Sequence, residues 1–218
     1  YSCLPEPVAG DGNITADPGL INPGGGVGLD HVYGDYRLAA GSPCIDAGQT
    51  AGWMLEPEAT DLDGNPRIIY GKPDIGAFEY FAPPTVVTAS DGLYAGYVRI
   101  TWNASDPAPA SYEVWRAGTN DPNQSARLAA AAGLSYDDTS AQPGALYYYW
   151  VRPVMAGLGP FSVSDSGWRI IPAPAALAAS DGLFTDSVRL TWAEAPGAAG
   201  YKVYRGTTPE FIQAVEIA

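Results

Sequence analysis

Positive charge is scarce in this sequence of 218 residues. It has 11 Lys and Arg against 24 Asp and Glu, a single His, and a formal net charge of −13. Proteins bind nucleic acids largely by neutralising backbone phosphates with Lys and Arg, so this balance argues against a nucleic-acid partner. The sequence has no run of about 18 apolar residues, and we therefore expect no membrane span. The chain opens on Tyr1 rather than Met, so we expect a processed or cut N-terminus.

Turn-forming and aromatic residues, in contrast, are plentiful. The chain has 26 Gly and 20 Pro beside 14 Tyr and 6 Trp. Frequent turns between residues that favour strands predict an all-β protein. The pattern changes at Pro83-Pro84 and again at Pro172-Ala173-Pro174. These positions predict linkers that divide the chain into residues 1–82, 83–172 and 173–218.

An internal repeat connects the last two segments. The sequence ASDGLY at 89–94 recurs as ASDGLF at 179–184, VRITW at 98–102 recurs as VRLTW at 188–192, and SYEVWR at 111–116 recurs as GYKVYR at 200–205. Three blocks at nearly one offset predict tandem modules of about 90 residues. The second module stops after roughly four strands, so we expect it to expose an apolar face. We expect it either to pair with another chain or to be a truncated module.

Residues 84–170 resemble a fibronectin type III domain. The resemblance is carried by VRITW at 98–102, YEVWR at 112–116 and PGALYYYWV at 143–151. It implies a β-sandwich of about seven strands, with Tyr147 at the tyrosine-corner position. The structural residues that it implies are Trp102, Tyr112, Tyr147, Tyr149 and Val151.

Residues 1–80 resemble the C-terminal end of secreted right-handed parallel β-helix proteins, including bacterial surface proteins of the choice-of-anchor Q type. The matching pieces are NITADP at 13–18, DYRL at 35–38, GSPCIDAG at 41–48, TDLDGNPR at 60–67 and DIGAFEY at 74–80. The fold class that follows is all-β: a β-helix C-terminal cap, a fibronectin type III-like sandwich and a partial second sandwich. The resemblance implies a secreted protein at the surface of a bacterial cell.

The two cysteines, Cys3 and Cys44, both lie in the first segment. A short segment rich in Gly and Pro has a thin core, and a disulfide across it would stabilise the fold by roughly 4 kcal/mol. We predict a Cys3–Cys44 disulfide and an oxidising compartment; two buried free thiols are the alternative. His31 lies in a Gly-rich stretch and is predicted to be a surface-loop residue, so a zinc site is not expected.

Alternating oxygen side chains mark the sequence DLDGN at 61–65. Asp61, Asp63 and Asn65, with Gly64 between them, resemble the opening of a calcium loop. Lys72 stands where such a loop would supply its bidentate Glu. Two interpretations therefore stay open: a Ca²⁺ ion bound by Asp61, Asp63 and Asn65, or a tight turn in which Asp63 and Asp74 hold Arg67. No other cofactor is expected.

Catalytic motifs are poorly represented. The chain has one His and no Gly-x-Ser-x-Gly sequence, so we expect no enzymatic activity of this chain. Aromatic side chains are the remaining candidates for binding, because sugar rings stack on exposed aromatic faces. The alternative is that these rings pack on neighbouring strands. The candidates are Trp53, Trp115, Tyr148, Trp150 and Trp168.

These observations predict a non-catalytic capping and spacer region of a larger extracellular or cell-surface bacterial protein. One alternative is a carbohydrate-binding or adhesive module that holds a polysaccharide or another surface protein. A second alternative is the accessory tail of a β-helix polysaccharide lyase or hydrolase.

Overall fold

The computed structural model describes residues 2–4, 6–26 and 28–218, and in these ranges the chain is all-β, as predicted. The helical pieces of this part of the chain are 3₁₀ turns of three or four residues: Gly28–Asp30, Gly52–Leu55, Pro122–Gln124 and Phe211–Gln213. No helix in the described ranges has the length and apolar character needed to cross a membrane.

Short strands are spread along the chain. The first segment contains β1 (Leu20–Asn22) and β2 (Asp35–Leu38). The following residues form β3 (Thr85–Ala89), β4 (Val98–Asn103), β5 (Ser111–Ala117), β6 (Ala126–Ala131), β7 (Ser135–Asp138), β8 (Tyr147–Val154) and β9 (Asp165–Gly167). The last residues form β10 (Ala175–Ala179), β11 (Leu190–Ala193), β12 (Tyr204–Arg205) and β13 (Val215–Glu216).

The strands β3 to β9 build a β-sandwich from two sheets. One sheet has the order β3-β4-β7, and the other has the order β6-β5-β8-β9. In the larger sheet β5 and β8 are antiparallel, with Val114 opposite Val151 and Trp115 opposite Trp150. Residues directly opposite one another share a sheet face. The two valines are buried on one face, and the two tryptophans share the other.

The chain divides into two compact units. One contains residues up to Thr88 together with 101–136 and 148–165, and the other contains 89–100, 137–147 and 166–218. The boundaries predicted near residues 83 and 172 stay predictions.

The core of the first unit includes the central strands of the larger sheet. Tyr112, Val114, Tyr149 and Val151 are buried. Trp102 is buried too, and its ring meets that of Tyr112 edge to face with 5.5 Å between centroids. Such aromatic contacts stabilise a core beyond the area that they bury.

The first segment lies in the same unit but does not show the coils of a β-helix. Its strands β1 and β2 pair antiparallel, whereas the rungs of a parallel β-helix would pair in parallel. A single residue pair, Cys3 with Ile14, forms a parallel bridge in the described part of the segment. Leu38 and Cys44 supply buried side chains here. The β-helix cap therefore stays a prediction.

The second unit contains the start of the first copy of the repeat, at 89–100, and the whole second copy, and the two copies share local structure. The amide of Arg99 donates to Ser90 Oγ at 2.9 Å, and the amide of Arg189 donates to Ser180 Oγ at the same distance. The amides of Ser90 and Ser180 in turn donate to the carbonyls of Arg99 and Arg189. Repeated sequence has thus produced repeated backbone geometry.

The second copy exposes the apolar positions that the first copy buries. Val98 is 0% exposed, whereas its counterpart Val188 is 66% exposed. Val87 in β3 is buried, whereas Leu177 in β10 is 69% exposed. Residues 173–218 therefore expose apolar side chains whose counterparts in the first copy are buried.

Candidate functional site

A tight turn at residues 61–65 is organised by the carboxylate of Asp61. Its Oδ1 accepts the amides of Asp63 at 2.9 Å and Asn65 at 2.8 Å. Its Oδ2 accepts the amide of Glu79 at 2.9 Å and the Asn65 side-chain amide at 3.2 Å. Gly64 has a φ of 84°, a conformation that suits glycine. Asp61 is buried, and its role is to satisfy backbone donors.

Asp63 forms a bidentate ion pair with Arg37 on β2. Arg37 Nε and Nη2 reach the two Asp63 oxygens at 2.7 Å each, and Nη1 reaches Asp35 at 2.9 Å. The hydrogen bonds that Arg37 donates to Asp63 and Asp35, together with the charges of both carboxylates, raise the pKa of Arg37 above its ordinary value. The guanidinium also lies 4.8 Å from the centroid of the Phe78 ring. The expectation that Asp63 holds Arg67 was wrong, because β2 brings Arg37 to the turn.

Arg67 is held instead by Glu79 and by backbone carbonyls. Its Nη1 lies 2.6 Å from Glu79 Oε1, and its Nη2 donates to the carbonyls of Gly76 at 2.7 Å and Asp74 at 3.3 Å. The Asp74 carboxylate, which we expected on Arg67, accepts the amides of Asp46 and Tyr80 at 2.7 and 2.6 Å. Asp74 therefore does hold Arg67 as expected, but through its backbone carbonyl rather than through its carboxylate.

Glu79 was missed by the sequence reasoning. Burial, followed by the neighbouring charge of Asp74, raises the pKa of Glu79 to about 8. Burial also raises the pKa of Asp74. The signal available in the sequence was the spacing of Asp74 and Glu79 within DIGAFEY at 74–80.

The three residues proposed for calcium do not fit that ion. The oxygens of Asp61 accept N–H groups, and those of Asp63 accept Arg37. Asn65 Oδ1 accepts the amides of Ala156 and Gly157 at 3.0 and 3.1 Å. Across residues 2–4, 6–26 and 28–218, no group of three His, Cys, Asp or Glu side chains could hold a metal. The arrangement agrees with the alternative of a tight turn.

The two cysteines are free thiols in the structure. Cys44 is buried, and Cys3 Sγ donates to the carbonyl of Ala16 at 2.8 Å. Burial and a hydrogen bond with the Cys3 thiol raise the pKa of Cys44 to about 11. The predicted disulfide is therefore not formed here, although the thiols lie within contact of each other.

The five aromatic candidates for sugar contact are not equivalent. Trp53 is 58% exposed on the 3₁₀ turn Gly52–Leu55, and Trp168 is exposed at the end of the sandwich sequence. Trp115 and Tyr148 are half-buried. Trp150 is only 3% exposed, so the expectation that it contacts a ligand was wrong. It lies on a central strand directly opposite the large side chain of Trp115.

The residues expected in the core are buried with one exception. Trp102, Tyr112, Tyr149 and Val151 are buried, whereas Tyr147 at the start of β8 is half-buried. The Tyr112 hydroxyl accepts the amide of Ser105 at 2.9 Å, which satisfies its buried oxygen.

A second charged cluster covers the outer face of the larger sheet. Glu113 is buried, and its carboxylate lies 2.7 Å from Arg152 and 2.8 Å from Arg127. Trp115 Nε1 also donates to Glu113 at 3.0 Å. The Arg152 guanidinium lies over the rings of Trp115 and Phe161, at 4.6 and 4.8 Å. These contacts hold Arg152 and Phe161 in place.

A cavity of about 660 Å³ lies between these two clusters, within the first compact unit. Its charged walls are formed by the Arg37–Asp63 pair and by Arg152, and its aromatic walls include Tyr80 and Phe161. The backbone that shapes it comes from the first segment, from the 3₁₀ turn Pro122–Gln124 and from the loop at 157–161. Sequence reasoning did not predict this cavity.

Comparison with known proteins gives fold-level likenesses. No family model and no curated protein matches the chain. An Fn3-like protein from Clostridium thermocellum is 26% identical, with 44% of this chain and 99% of that chain covered and a TM-score of 0.38. Pectate lyase Pel3 from Pectobacterium carotovorum is 20% identical, with coverage of 42% and 28% and a TM-score of 0.34. The chicken CNTN1 FN1–FN3 domains are 18% identical, with coverage of 69% and 61% and a TM-score of 0.33.

These TM-scores lie below 0.5, so the likenesses carry no argument about function. The β-sandwich rests on the chain's own strand order and burial.

Proposed function

We propose that this chain is a non-catalytic, rigid capping and spacer region of a larger extracellular or cell-surface bacterial protein. The observation that carries the proposal is the direct attachment of the first segment to the sandwich. Asn65 Oδ1 accepts the amides of Ala156 and Gly157, and the Tyr70 hydroxyl donates to the carbonyl of Asp106. A spacer keeps a fixed distance between the parts that it connects only if its junctions do not bend. These hydrogen bonds oppose bending between the first segment and the sandwich.

The repeat supports the same proposal. Two copies of one sequence pattern keep the same Ser–Arg backbone contacts, as expected of modules arranged in series. Secretion and attachment to a cell surface belong to the proposal and come from the sequence resemblances.

Small-angle scattering of the chain and of Asn65→Ala tests the spacer. We expect a narrow distribution of shapes for the unchanged chain and a broader one for the variant, because Asn65→Ala leaves two amides without their acceptor. Gln142→Ala changes an exposed side chain and serves as the control. An equally broad distribution for all three proteins would contradict the proposal.

A lyase assay and a reducing-sugar assay test the absence of catalysis. We expect no turnover of any polysaccharide by the purified chain. Measured turnover would show that the chain is an enzyme.

A carbohydrate-binding module is the second candidate function. The observation that favours it is the cavity that combines aromatic rings with fixed charged pairs.

A further inference from the structure

The cavity of about 660 Å³ in the first unit has the size of a small-ligand site. Such sites usually enclose about 300–1,000 Å³ and combine apolar walls with a few fixed polar groups. Here the apolar part includes Leu158, Pro160 and Phe161, and the polar part includes Arg37 and Asp63. Size and lining together justify asking which ligand would fit.

The polar wall offers donors and acceptors side by side. Arg37 has five N–H donors, of which three are engaged by Asp63 and Asp35. Each Asp63 oxygen accepts one bond from Arg37 and keeps capacity for another. A hydroxyl group both donates and accepts, so adjacent hydroxyls suit a paired guanidinium and carboxylate. The bidentate geometry also fixes both groups before a ligand arrives, which lowers the entropy cost of binding.

The aromatic wall is fixed as well. The Phe161 ring meets Trp115 edge to face with 5.4 Å between centroids, and Arg152 lies 4.8 Å from the Phe161 centroid. A held ring loses little freedom when a ligand stacks on it. Flat apolar area beside polar groups matches the C–H faces and hydroxyl edges of a sugar ring.

The cavity offers an anion no cation that is not already paired. Its lining contains the carboxylates of Asp35 and Asp63 beside the guanidinium groups of Arg37 and Arg152. The guanidinium of Arg37 is already paired with carboxylates, and so is that of Arg152, which pairs with Glu113. The whole chain carries a net charge of −13, which would repel a polyanion. An uncharged ligand avoids this repulsion.

We propose that this cavity binds a short uncharged oligosaccharide, with one sugar ring against Phe161 and its hydroxyls on the Arg37–Asp63 pair. The inference rests on the second candidate function, carbohydrate binding, and is independent of the spacer role. It assigns the contact to Phe161 rather than to the exposed tryptophans that the sequence suggested.

Calorimetry with cellohexaose, mannohexaose and xylohexaose tests the proposal, with hexagalacturonate as the charged probe. We expect at least one neutral hexasaccharide to bind and hexagalacturonate to bind more weakly. Phe161→Ala should weaken binding by about fivefold, because an aromatic contact contributes about 1 kcal/mol. Phe161→Tyr keeps the ring and should retain binding, which separates loss of stacking from loss of folding.

Trp53→Ala is the matched control, because Trp53 is exposed and does not line the cavity. Binding lost in Trp53→Ala but kept in Phe161→Ala would overturn the site and leave a carbohydrate-binding function elsewhere on the chain. Tighter binding of hexagalacturonate would overturn the choice of an uncharged ligand. Absence of binding by all three neutral sugars would overturn the proposal without bearing on the scattering test of the spacer.

Discussion

Buried carboxylates dominate the electrostatics of the first segment at the scale of single residues. Asp61, Asp74 and Glu79 are all buried, and Arg67 supplies a cation to Glu79. Burial raises the pKa of Glu79 from 4.5 to about 8. The folded chain therefore holds a proton on Glu79 at pH values where the unfolded chain has released it. The contribution of Glu79 to the free energy of unfolding therefore falls as pH rises between about 4.5 and 8.

Glu79→Gln tests this dependence on pH. A single group that binds one proton more in the folded state changes stability by at most about 1.4 kcal/mol per pH unit. We expect the melting temperature of the unchanged chain to fall from pH 5 to pH 8, and the fall to be smaller in Glu79→Gln. Thermal melts at four pH values measure both profiles.

Asp137→Asn is the control for this prediction. The hydrogen bond from Arg99 lowers the pKa of Asp137, so its contribution is present above its unfolded pKa and is lost only as pH falls through the lowered value. Its substitution should leave the slope between pH 5 and 8 unchanged. The same slope in Glu79→Gln as in the unchanged chain would contradict the assignment to Glu79.

The pair Cys3 and Cys44 provides a second prediction at this scale. The two thiols are in contact in the structure, so oxidation needs no large rearrangement. We expect mild oxidant to remove both thiols and to raise stability by at most about 4 kcal/mol. Thiol titration under denaturing conditions and mass spectrometry measure the reaction, and Cys3→Ser is the control. Two reactive thiols remaining after oxidation would contradict the predicted disulfide.

Sequence reasoning identified the charged residues of this region better than their partners. Asp61, Asp63, Asn65, Arg67 and Asp74 do form one polar region of the fold. Their partners depend on which distant strand reaches the turn, and β2 brought Arg37 to Asp63 across 26 positions. No local spacing encodes that approach.

At the scale of elements, the first strand of each module contains the same backbone irregularity. Val86 in β3 has a φ of 52°, and Ala176 in β10 has a φ of 53°. The positions are 90 residues apart, the offset of the repeat. In β10 the register with β11 shifts between Ala175 and Ala178, as at a β-bulge. A β-branched residue is strained in this conformation.

Val86→Gly tests the strain. Because Val86 is exposed, removing its side chain loses little buried apolar area. Glycine also adopts a positive φ without a steric penalty. We expect Val86→Gly to be neutral or to stabilise the chain by about 1 kcal/mol in urea unfolding. Thr85→Gly, at an exposed neighbouring position without a positive φ, should destabilise it. Equal destabilisation by both substitutions would show that Val86 carries no strain.

Alternation along a strand of the sandwich indicates the residues of its inner face, but it does not indicate how the outer face is covered. Val98, Ile100 and Trp102 alternate with Arg99 and Thr101, and the structure buries the first three. Alternation shows which residues share a face, but it does not show how deeply the outer face is covered. Trp150 is buried on that face beside Trp115.

At the scale of the whole molecule, the candidate cavity is a second feature that local sequence patterns do not predict. Its walls combine Arg37, Asp63, Arg152 and Phe161, which are far apart in sequence. No local motif in the sequence predicts that these residues lie close together. The repeat, in contrast, could be predicted because its copies are separated by a nearly constant number of residues.

The final prediction concerns the uncovered apolar face of residues 173–218. Leu177 and Val188 are exposed although their counterparts in the first module are buried, and exposed apolar side chains bind hydrophobic dyes. We expect the full chain to enhance the fluorescence of anilinonaphthalene sulfonate, and a chain ending at Pro172 to enhance it less.

The double variant Leu177→Ser and Val188→Ser, made in the full-length chain, should give an intermediate signal. Thr208→Ser is the control, because Thr208 donates a hydrogen bond to Gln213, and it should leave the signal unchanged. Equal fluorescence of the full and shortened chains would mean that the face is covered in solution, and sedimentation would then show whether a second copy of the chain covers it.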